Sequence, residues 1–219
     1  MSRNFKISPN EFYHLYNRGT DKRIVFKSKA DYSRFIKLLY ICNQRGPVRL
    51  ENMNGQTDSE FFSVSDDTLI DIGAFCLMPN HFHLLIREKT DNGASKFMQK
   101  LTTGYTMYFN TRYQRTGALF EGTYKAKHAN TDDYLKYLFA YIHLNPIKLL
   151  QSDWKEFGIN DTGRAEDFLN KYHFSSYSAY TGIDQPKNKI IHKDSFPDYF
   201  ENSRHFKDFL NHWLKYSLV

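Results

Sequence analysis

The sequence has little of what marks a secreted, disulfide-stabilised or membrane-embedded protein. Only two of its 219 residues are cysteines, Cys42 and Cys76, and both lie among apolar neighbours, which is typical of reduced core thiols. No apolar run approaches the roughly 18 residues of a membrane span. No basic-then-apolar opening predicts a signal peptide. We therefore expect a soluble, cytoplasmic protein with one main domain and no membrane partner.

The sequence is rich in aromatic residues and carries a net positive charge. It contains 16 Tyr and 19 Phe, and 30 Lys and Arg against 24 Asp and Glu give a net charge of +6. Aromatic rings fill cores but also stack on unpaired bases, and positive charge favours polyanions such as nucleic acid. The charge excess is moderate, so on its own it is weak evidence for a nucleic-acid partner.

Hydrophobic periodicity predicts the order strand, helix, strand, strand, helix, strand. The strands are predicted at 12–17, 69–77, from 81 onward and 119–128, and the helices at 29–43 and after 91–92, with a long loop over 44–67. This order predicts an α+β, ferredoxin-like fold, an antiparallel sheet with two helices on one face. The other face is then free to carry a site.

A third helix is predicted from Thr131, a favourable cap, to Asn145, where Pro146 stops it. Residues 1–150 would form the main domain. Residues 151–185, rich in Gly, Asn, Asp and Ser, predict an irregular packed extension of it. Residues 186–219 predict a linker followed by a helix near 203–216, of unknown role.

Two histidines flank one apolar residue at His81, Phe82 and His83. On a strand, residues i and i+2 share a face, so the two imidazoles would stand together while Phe82, Leu84 and Ile86 enter the core. Such a pair can bind one metal ion. Taken alone, however, a His-x-His pair more often forms surface hydrogen bonds.

Tyr141 and Asn145 are i and i+4 on the third predicted helix and therefore neighbours on one helical face. A phenol can act as a nucleophile, and an amide oxygen can ligate a hard cation. If the helix crosses the open face near the histidines, a bound metal would polarise a phosphate oxygen for attack by tyrosine. The plainer interpretation is that Tyr141 anchors a helix interface and that Asn145 simply ends the helix.

The combination resembles a known family. His81-Phe82-His83 is similar to the HUH motif of IS200-like single-tyrosine (Y1) transposases, and most nearly to the REP-associated tyrosine transposases. Four further stretches agree in order and extend the resemblance over about residues 12–182: they are 14–19, 117–122, 141–146 and 175–177.

The resemblance implies a metal-dependent DNA strand-transfer enzyme with a ferredoxin-like fold. His81 and His83 would bind Mg²⁺ or Mn²⁺, with Asn145 as the third ligand. Tyr141 would attack single-stranded DNA next to a palindromic hairpin, forming a 5′-phosphotyrosine and releasing a 3′-hydroxyl. The protein would then be bacterial and associated with the nucleoid when bound to DNA.

Seven basic residues are candidates for contacts with DNA phosphates, and for each a solvated surface position is at least as good an explanation. They are Arg18, Lys22, Arg23, Lys100, Arg112, Lys125 and Lys127. The chain departs from the family pattern at 147–150, at Thr123 and at Phe174. The sequence therefore does not determine which DNA hairpin the protein would recognise.

Two other functions remain as alternatives. A catalytically idle hairpin-binding protein would bind DNA in a salt-sensitive manner without forming an adduct. A zinc hydrolase would use His81 and His83 with water as the nucleophile, although no third His, Asp or Cys stands at ligand spacing. The sequence also leaves open whether the protein is a monomer or a homodimer with Tyr141 serving the partner's site.

Overall fold

The fold is built on one four-stranded antiparallel sheet. The computed structural model describes residues 7–48, 57–63 and 67–215. The strands are β1 (Phe12–Arg18), β2 (Ile70–Met78), β3 (His81–Glu88) and β4 (Lys125–His128), arranged in the order β2-β3-β1-β4. With one long helix after β1 and one after β3, this order confirms the predicted ferredoxin-like fold.

Eight α-helices occur in the described residues. They are α1 (Lys29–Ile41), α2 (Asp58–Phe61), α3 (Gly93–Arg112), α4 (Asp132–Leu144), α5 (Trp154–Phe157), α6 (Thr162–Lys171), α7 (Tyr177–Thr181) and α8 (Ser203–Lys215). The predicted cap of α4 is confirmed, because the Thr131 side chain accepts the Tyr134 N–H at 3.2 Å. Asn145 and Pro146 then open a 3₁₀ turn that ends at Leu149.

One face of the sheet packs against α1 and α3. Phe82, Leu84 and Ile86 of β3 are fully buried there, in one cluster with Phe35 of α1 and Phe97 of α3. This confirms the predicted inward face of β3. The alternation of a strand then sends the intervening residues of β3, including the histidines, to the opposite face.

The opposite face carries α4. Cys76 and Leu85 of the sheet share a second buried cluster with Phe139 and Ile142 of α4. Helix α8 packs in turn on α4 and α7, with Phe206 fully buried in the same cluster. A third layer therefore lies over this face of the sheet.

The fourth strand is shorter than predicted. It was expected over 119–128, whereas β4 covers only Lys125–His128. Gly122 has φ +62°, a turn conformation that interrupts extended pairing, and Phe120 makes only an isolated bridge to Gly19. The first part of the predicted strand is therefore a turn beside β1.

Two other segments are more ordered than predicted. Within the predicted loop, a capping box between Thr57 and Glu60 forms the short helix α2. Residues 49–56 and 64–66 of that loop lie outside the described part. The prediction of an irregular segment over 151–185 was wrong at α6, which begins where the Asp161 side chain accepts the Arg164 N–H at 2.9 Å.

The predicted linker after residue 186 packs along β2, the outer strand of the sheet. The His192 N–H donates to the Ile72 carbonyl at 2.9 Å, and Ile190 is buried. Covering an outer strand in this way protects it from pairing with other chains. The expected last helix ends at Lys215, and Tyr216 lies outside the described residues. Among the described helices, none is long and apolar enough to cross a membrane.

Candidate active site

Strand register brings the histidines together with residues of β1. Tyr16 pairs with His83, and Arg18 pairs with His81, so these side chains share the face of the sheet that carries α4. His14, two residues before Tyr16, lies on the same face. The rings of His81 and His83 have their centroids 4.9 Å apart. The predicted side-by-side arrangement of the two imidazoles is therefore present.

Each of these two histidines is held through its Nδ1 atom. His83 Nδ1 is 2.9 Å from His14 Nε2, and His81 Nδ1 is 2.6 Å from Asn80 Oδ1. The Asn80 amide is itself oriented, because its Nδ2 donates to the Lys22 carbonyl at 3.3 Å. His81 must therefore donate through Nδ1, which leaves a lone pair on Nε2. Such outer partners fix the ring orientation of metal-ligating histidines.

Helix α4 places the predicted nucleophile and third ligand against the histidines. The Tyr141 ring lies 5.2 Å from the His83 ring and 5.8 Å from the His14 ring, centroid to centroid. The Asn145 amide lies beside both the His81 ring and the Tyr141 hydroxyl, close enough to shift the pKa values of both. The structure thus brings together all four residues that the sequence pattern singled out.

Three buried polar atoms of this group lack a regular hydrogen bond. Asn145 is only 1% exposed, and neither its Oδ1 nor its Nδ2 has a partner of regular geometry within the described residues. The same holds for His83 Nε2. Buried polar atoms are normally paired, so unpaired ones need an explanation, such as a capacity to bind an ion.

Burial keeps the histidines neutral. It lowers the pKa of His14 to about 3, with a further contribution from Lys127, and it lowers the pKa of His81 to about 4, with Lys148 assisting. The pKa of His83 falls well below its ordinary value through burial and the neighbouring His14. Neutral imidazole is the form that binds a metal, so no proton must leave first.

The donor set fits a divalent cation of the kind that the resemblance implies. No group of three or more His, Cys, Asp or Glu side chains that could hold a metal occurs within the described ranges. A metal held by the two histidines would therefore take its third protein donor from the Asn145 amide, which disfavours the usual closed zinc site. Two neutral imidazoles and the unpaired Asn145 oxygen suit a cation that keeps positions open for other oxygen ligands.

A cavity of about 320 Å³ opens beside these groups. The residues lining it are Tyr16, Asn17, Arg18, Lys22, Asn80, His81, His83, Lys125 and Tyr141. Three of the seven predicted DNA-contact residues, Arg18, Lys22 and Lys125, are thus at the cavity. Arg18 also forms an ion pair with Glu121. Burial raises the pKa of Tyr141, opposed by its contact with Asn145, so Tyr141 is a phenol at neutral pH.

The other four predicted DNA-contact residues do not line the cavity. Lys127 pairs with His14 between β4 and β1, and its Nζ lies 4.4 Å from the centre of the Tyr134 ring. Arg23 Nε donates to the Thr20 carbonyl at 2.9 Å. The last two, Lys100 and Arg112, belong to α3 on the opposite side of the sheet.

Both α3 residues have structural partners there. Lys100 Nζ donates to the Gln44 and Gly46 carbonyls at 2.9 Å each. Arg112 Nε lies 3.5 Å from the buried carboxylate of Asp31. These contacts explain both residues without DNA.

A buried hydrogen-bond chain fixes α4 to the sheet. His143 Nδ1 donates to the Phe139 carbonyl at 2.8 Å, so its Nε2 accepts from Ser176 Oγ, also at 2.8 Å. Ser176 Oγ in turn accepts the Phe75 N–H of β2 at 2.9 Å. The motif stretches 141–146 and 175–177 therefore meet in space, and their contact sets where Tyr141 and Asn145 stand.

Sequence reasoning did not assign roles to His14, Asn80 or Lys155. His14 lies within the motif stretch 14–19, which was a signal, but its bond to His83 depends on the register between β1 and β3. Lys155, on the short helix α5, has its Nζ 4.1 Å from the centre of the Tyr141 ring. No spacing pattern in the sequence predicts the contact between Lys155 and Tyr141.

Comparison with known families and structures gives one family. The sequence profile of the family described as "Transposase IS200 like" matches residues 30–145, more than half of the chain. The match includes both histidines of the pair, Tyr141 and Asn145. A comparison with curated proteins finds no significant match.

Two solved structures are similar in fold at low sequence identity. One is a REP-associated tyrosine transposase bound to a REP hairpin, 12% identical, with 85% of this chain and 89% of that chain covered and a TM-score of 0.49. The other is tRNA(His) guanylyltransferase from Saccharomyces cerevisiae, 12% identical, with 99% and 83% covered and a TM-score of 0.35. At these values neither similarity bears on function.

Proposed function

The chain belongs to the IS200-like transposase family, and from this premise we propose that it is a metal-dependent enzyme that cleaves and rejoins single-stranded DNA beside a hairpin, through a phosphotyrosine on Tyr141. One observation carries the proposal. The Tyr141 ring lies 5.2 Å from the His83 ring at an open cavity, and the buried Asn145 amide, which has no hydrogen bond of regular geometry within the described residues, lies beside both Tyr141 and His81.

His81, His83 and the Asn145 oxygen would hold the cation, Mg²⁺ or Mn²⁺. When bound, it would polarise a phosphate oxygen and offset the charge that develops there. Asn80 orients the His81 ring so that its Nε2 lone pair is available, and Nε2 of His83 is available in the tautomer whose Nδ1–H donates to His14 Nε2. Arg18, Lys22 and Lys125 line the cavity and would attract the DNA backbone.

Cleavage would be an in-line exchange of one ester for another. The Tyr141 hydroxyl oxygen bonds to phosphorus, and the bond from phosphorus to the 3′-oxygen breaks. The phenolic proton leaves to solvent, and the departing 3′-oxygen takes up a proton. One phosphodiester replaces another, so attack by a 3′-hydroxyl on the phosphotyrosine can rejoin the strand.

A single chain already brings Tyr141 against His83, with 5.2 Å between the ring centroids. Tyr141 faces His83 within the same molecule, and the chain of bonds through His143 and Ser176 holds α4 in that position. We therefore propose that Tyr141 serves its own metal site and that a monomer suffices for cleavage. The hairpin part of the substrate rests on the motif resemblance, not on the cavity.

The test is formation of a covalent adduct with a labelled single-stranded oligonucleotide carrying a palindromic hairpin, in Mn²⁺ or Mg²⁺. The wild-type chain should give an adduct that survives denaturation, and Tyr141→Phe should reduce it by at least about 10³-fold, because the nucleophilic oxygen is gone. Tyr137→Phe is the matched control, since its ring stacks on Tyr141 one turn away, 5.7 Å between centroids. It should keep most of the activity.

Two other results would replace the proposal. Salt-sensitive binding without any adduct in either variant would indicate an idle hairpin-binding protein. Cleavage that persists in Tyr141→Phe would indicate attack by water.

A further inference from the structure

A lysine from outside the matched family region stands over the nucleophile. Lys155 Nζ lies 4.1 Å from the centre of the Tyr141 ring. Its helix, α5, is anchored by Trp154, which is 0% exposed and packs in the same buried cluster as α4. The buried Trp154 therefore fixes the backbone beside Lys155, whose half-buried side chain contacts the Tyr141 ring.

The Lys155 charge has no acidic partner. No carboxylate lies within 4.0 Å of Nζ in the part of the chain that the structure describes, whereas Lys136 and Lys207, for example, are paired. Lys155 is half-buried, and this burial, helped by the nearby Lys148, lowers its pKa to about 8. An ammonium group that is partly desolvated and unpaired is costly, so it indicates an anion that arrives later.

The groups around Lys155 are those of the proposed site. Tyr141 and its stacked neighbour Tyr137 belong to α4, Lys148 belongs to the 3₁₀ turn, and the Lys155 charge also reaches His83 on β3. None of these is an acid, and the two acids on the helix of Lys155 itself, Asp153 at its N-cap and Glu156, make no ion pair with Nζ within the described residues and do not shift its pKa. The surroundings therefore favour an incoming negative charge at Tyr141, and a phosphodiester is the anion that the proposed function supplies.

We propose that Lys155 is a positioning residue for the tyrosine nucleophile: its ammonium group holds the Tyr141 ring at the cavity and places positive charge beside the phosphate that Tyr141 attacks. The inference rests on the proposed function. As Tyr141 bonds to phosphorus and the 3′-oxygen leaves, Lys155 neither gains nor loses a proton. Its charge offsets the negative charge that develops between them.

The order of proton loss makes this role testable. Lys155 gives up its proton near pH 8, before Tyr141, whose pKa burial holds above its ordinary value. The charge of Lys155 is therefore present at neutral pH and absent at high pH while Tyr141 is still a phenol. An arginine at this position would stay charged throughout.

The experiment compares Lys155→Met, Lys155→Arg and wild type in single-turnover cleavage of the labelled oligonucleotide. Methionine keeps the apolar stem but removes the charge, so the rate should fall about 10- to 100-fold while the dissociation constant of the DNA changes less than about threefold. Lys155→Arg should keep at least a third of the rate. The second-order rate constant at low DNA concentration reports the DNA-free protein, so its pH profile should bend downward near pH 8 in wild type, and that bend should be absent from Lys155→Arg.

Lys193→Met is the matched control. Its Nζ lies 4.9 Å from the ring of Tyr180, in a different cavity, so its loss should leave the cleavage rate unchanged. A wild-type rate in Lys155→Met would overturn the proposal. So would equal losses and identical pH profiles in the methionine and arginine variants, which would indicate packing alone.

A second measurement separates this inference from the proposed function. If wild type gave no adduct, the proposed function would fail, and the placement of Lys155 would be tested by NMR. The ε-methylene protons of Lys155 should show an upfield ring-current shift that persists in Tyr141→Phe and becomes clearly smaller in Tyr141→Leu, where only the more distant Trp154 ring, 5.8 Å from Nζ, remains. Absence of that shift in wild type would overturn the placement and with it the inference.

Discussion

On the face of the sheet covered by α1 and α3, neighbouring strands contribute apolar side chains such as Leu15, Phe75 and Phe82, all 0% exposed. On the face covered by α4, the same strands contribute His14 and His83, and α4 adds Asn145, whose buried amide has no regular partner within the described residues. The first face is an ordinary core. The second combines a buried apolar cluster with polar groups, and three buried polar atoms there, on Asn145 and His83, have no regular hydrogen bond within the described residues.

Strand alternation explains how both faces come from one stretch of chain. Phe82 and His83 are adjacent, yet one enters the core and the other enters the candidate site. A core residue stabilises the fold through burial, whereas an unpaired buried polar atom costs stability and is retained where it has a function. Substitutions at neighbouring positions should therefore separate stability from activity.

The largest effect is expected from the pair Phe82→Ala and His83→Leu. Phe82→Ala should lower the free energy of unfolding by about 3–5 kcal/mol, because it leaves a large cavity in the core. His83→Leu should change it by less than about 1.5 kcal/mol, because it removes a costly buried polar atom but leaves His14 unpaired. His83→Leu should nevertheless abolish adduct formation. Urea unfolding measures the first quantity, and equal destabilisation by both variants would mean that the two faces do not differ.

Low pH should reduce the free energy of unfolding, because a histidine on the face covered by α4 is buried in its neutral form. The pKa of His81 is lowered to about 4 in the folded chain, mainly by burial, against an ordinary value of 6.5. Below pH 6.5 the unfolded chain therefore binds a proton that the folded chain does not, and stability falls as the pH drops from 6.5 towards 4. The loss is on the order of 2–3 kcal/mol for this residue.

Urea unfolding in EDTA at several pH values measures this loss. His81→Gln should show a shallower decline between pH 6.5 and 4 than wild type, since it has no proton to take up in the unfolded state. A decline of unchanged steepness would mean that His81 is not kept neutral by the fold.

The smallest effect should distinguish lysines on the two sides of the sheet. Lys125→Met, at the cavity, should weaken binding of a single-stranded hairpin oligonucleotide about three- to tenfold. It should also reduce the magnitude of the slope of log K against log salt concentration by about one. Lys100→Met should leave binding unchanged, because its ammonium group donates to the Gln44 and Gly46 carbonyls behind the sheet. Fluorescence anisotropy at several salt concentrations measures the DNA affinity of both variants. Equal losses of affinity in the two variants would mean that DNA contacts both sides of the sheet.

Local spacing in the sequence was enough for part of this picture. The i, i+2 rule predicted that Phe82 and His83 face opposite ways, and i, i+4 spacing predicted that Tyr141 and Asn145 are neighbours. The order of strands and helices predicted the ferredoxin-like sheet. Each of these depends on a period that a short segment carries by itself.

The remaining features depend on long-range contacts. The bond between His14 and His83 joins residues 69 apart and requires the register of two strands. Lys155 sits on a four-residue helix with no period of its own, placed by the buried Trp154. Charge alone also could not tell that Lys100 lies behind the sheet and Lys125 at the cavity, since both are simply basic residues in the sequence.

The most direct test of the central claim is to map the residue that carries DNA after reaction with the hairpin oligonucleotide in Mn²⁺. Tyr16 also lines the cavity, so the test distinguishes two tyrosines of one site. Proteolysis and tandem mass spectrometry should locate the nucleotide on Tyr141, within the tryptic peptide 137–148. A nucleotide on Tyr16, or cleaved DNA with no linked peptide, would contradict the assignment of Tyr141 as the nucleophile beside His81, His83 and Asn145.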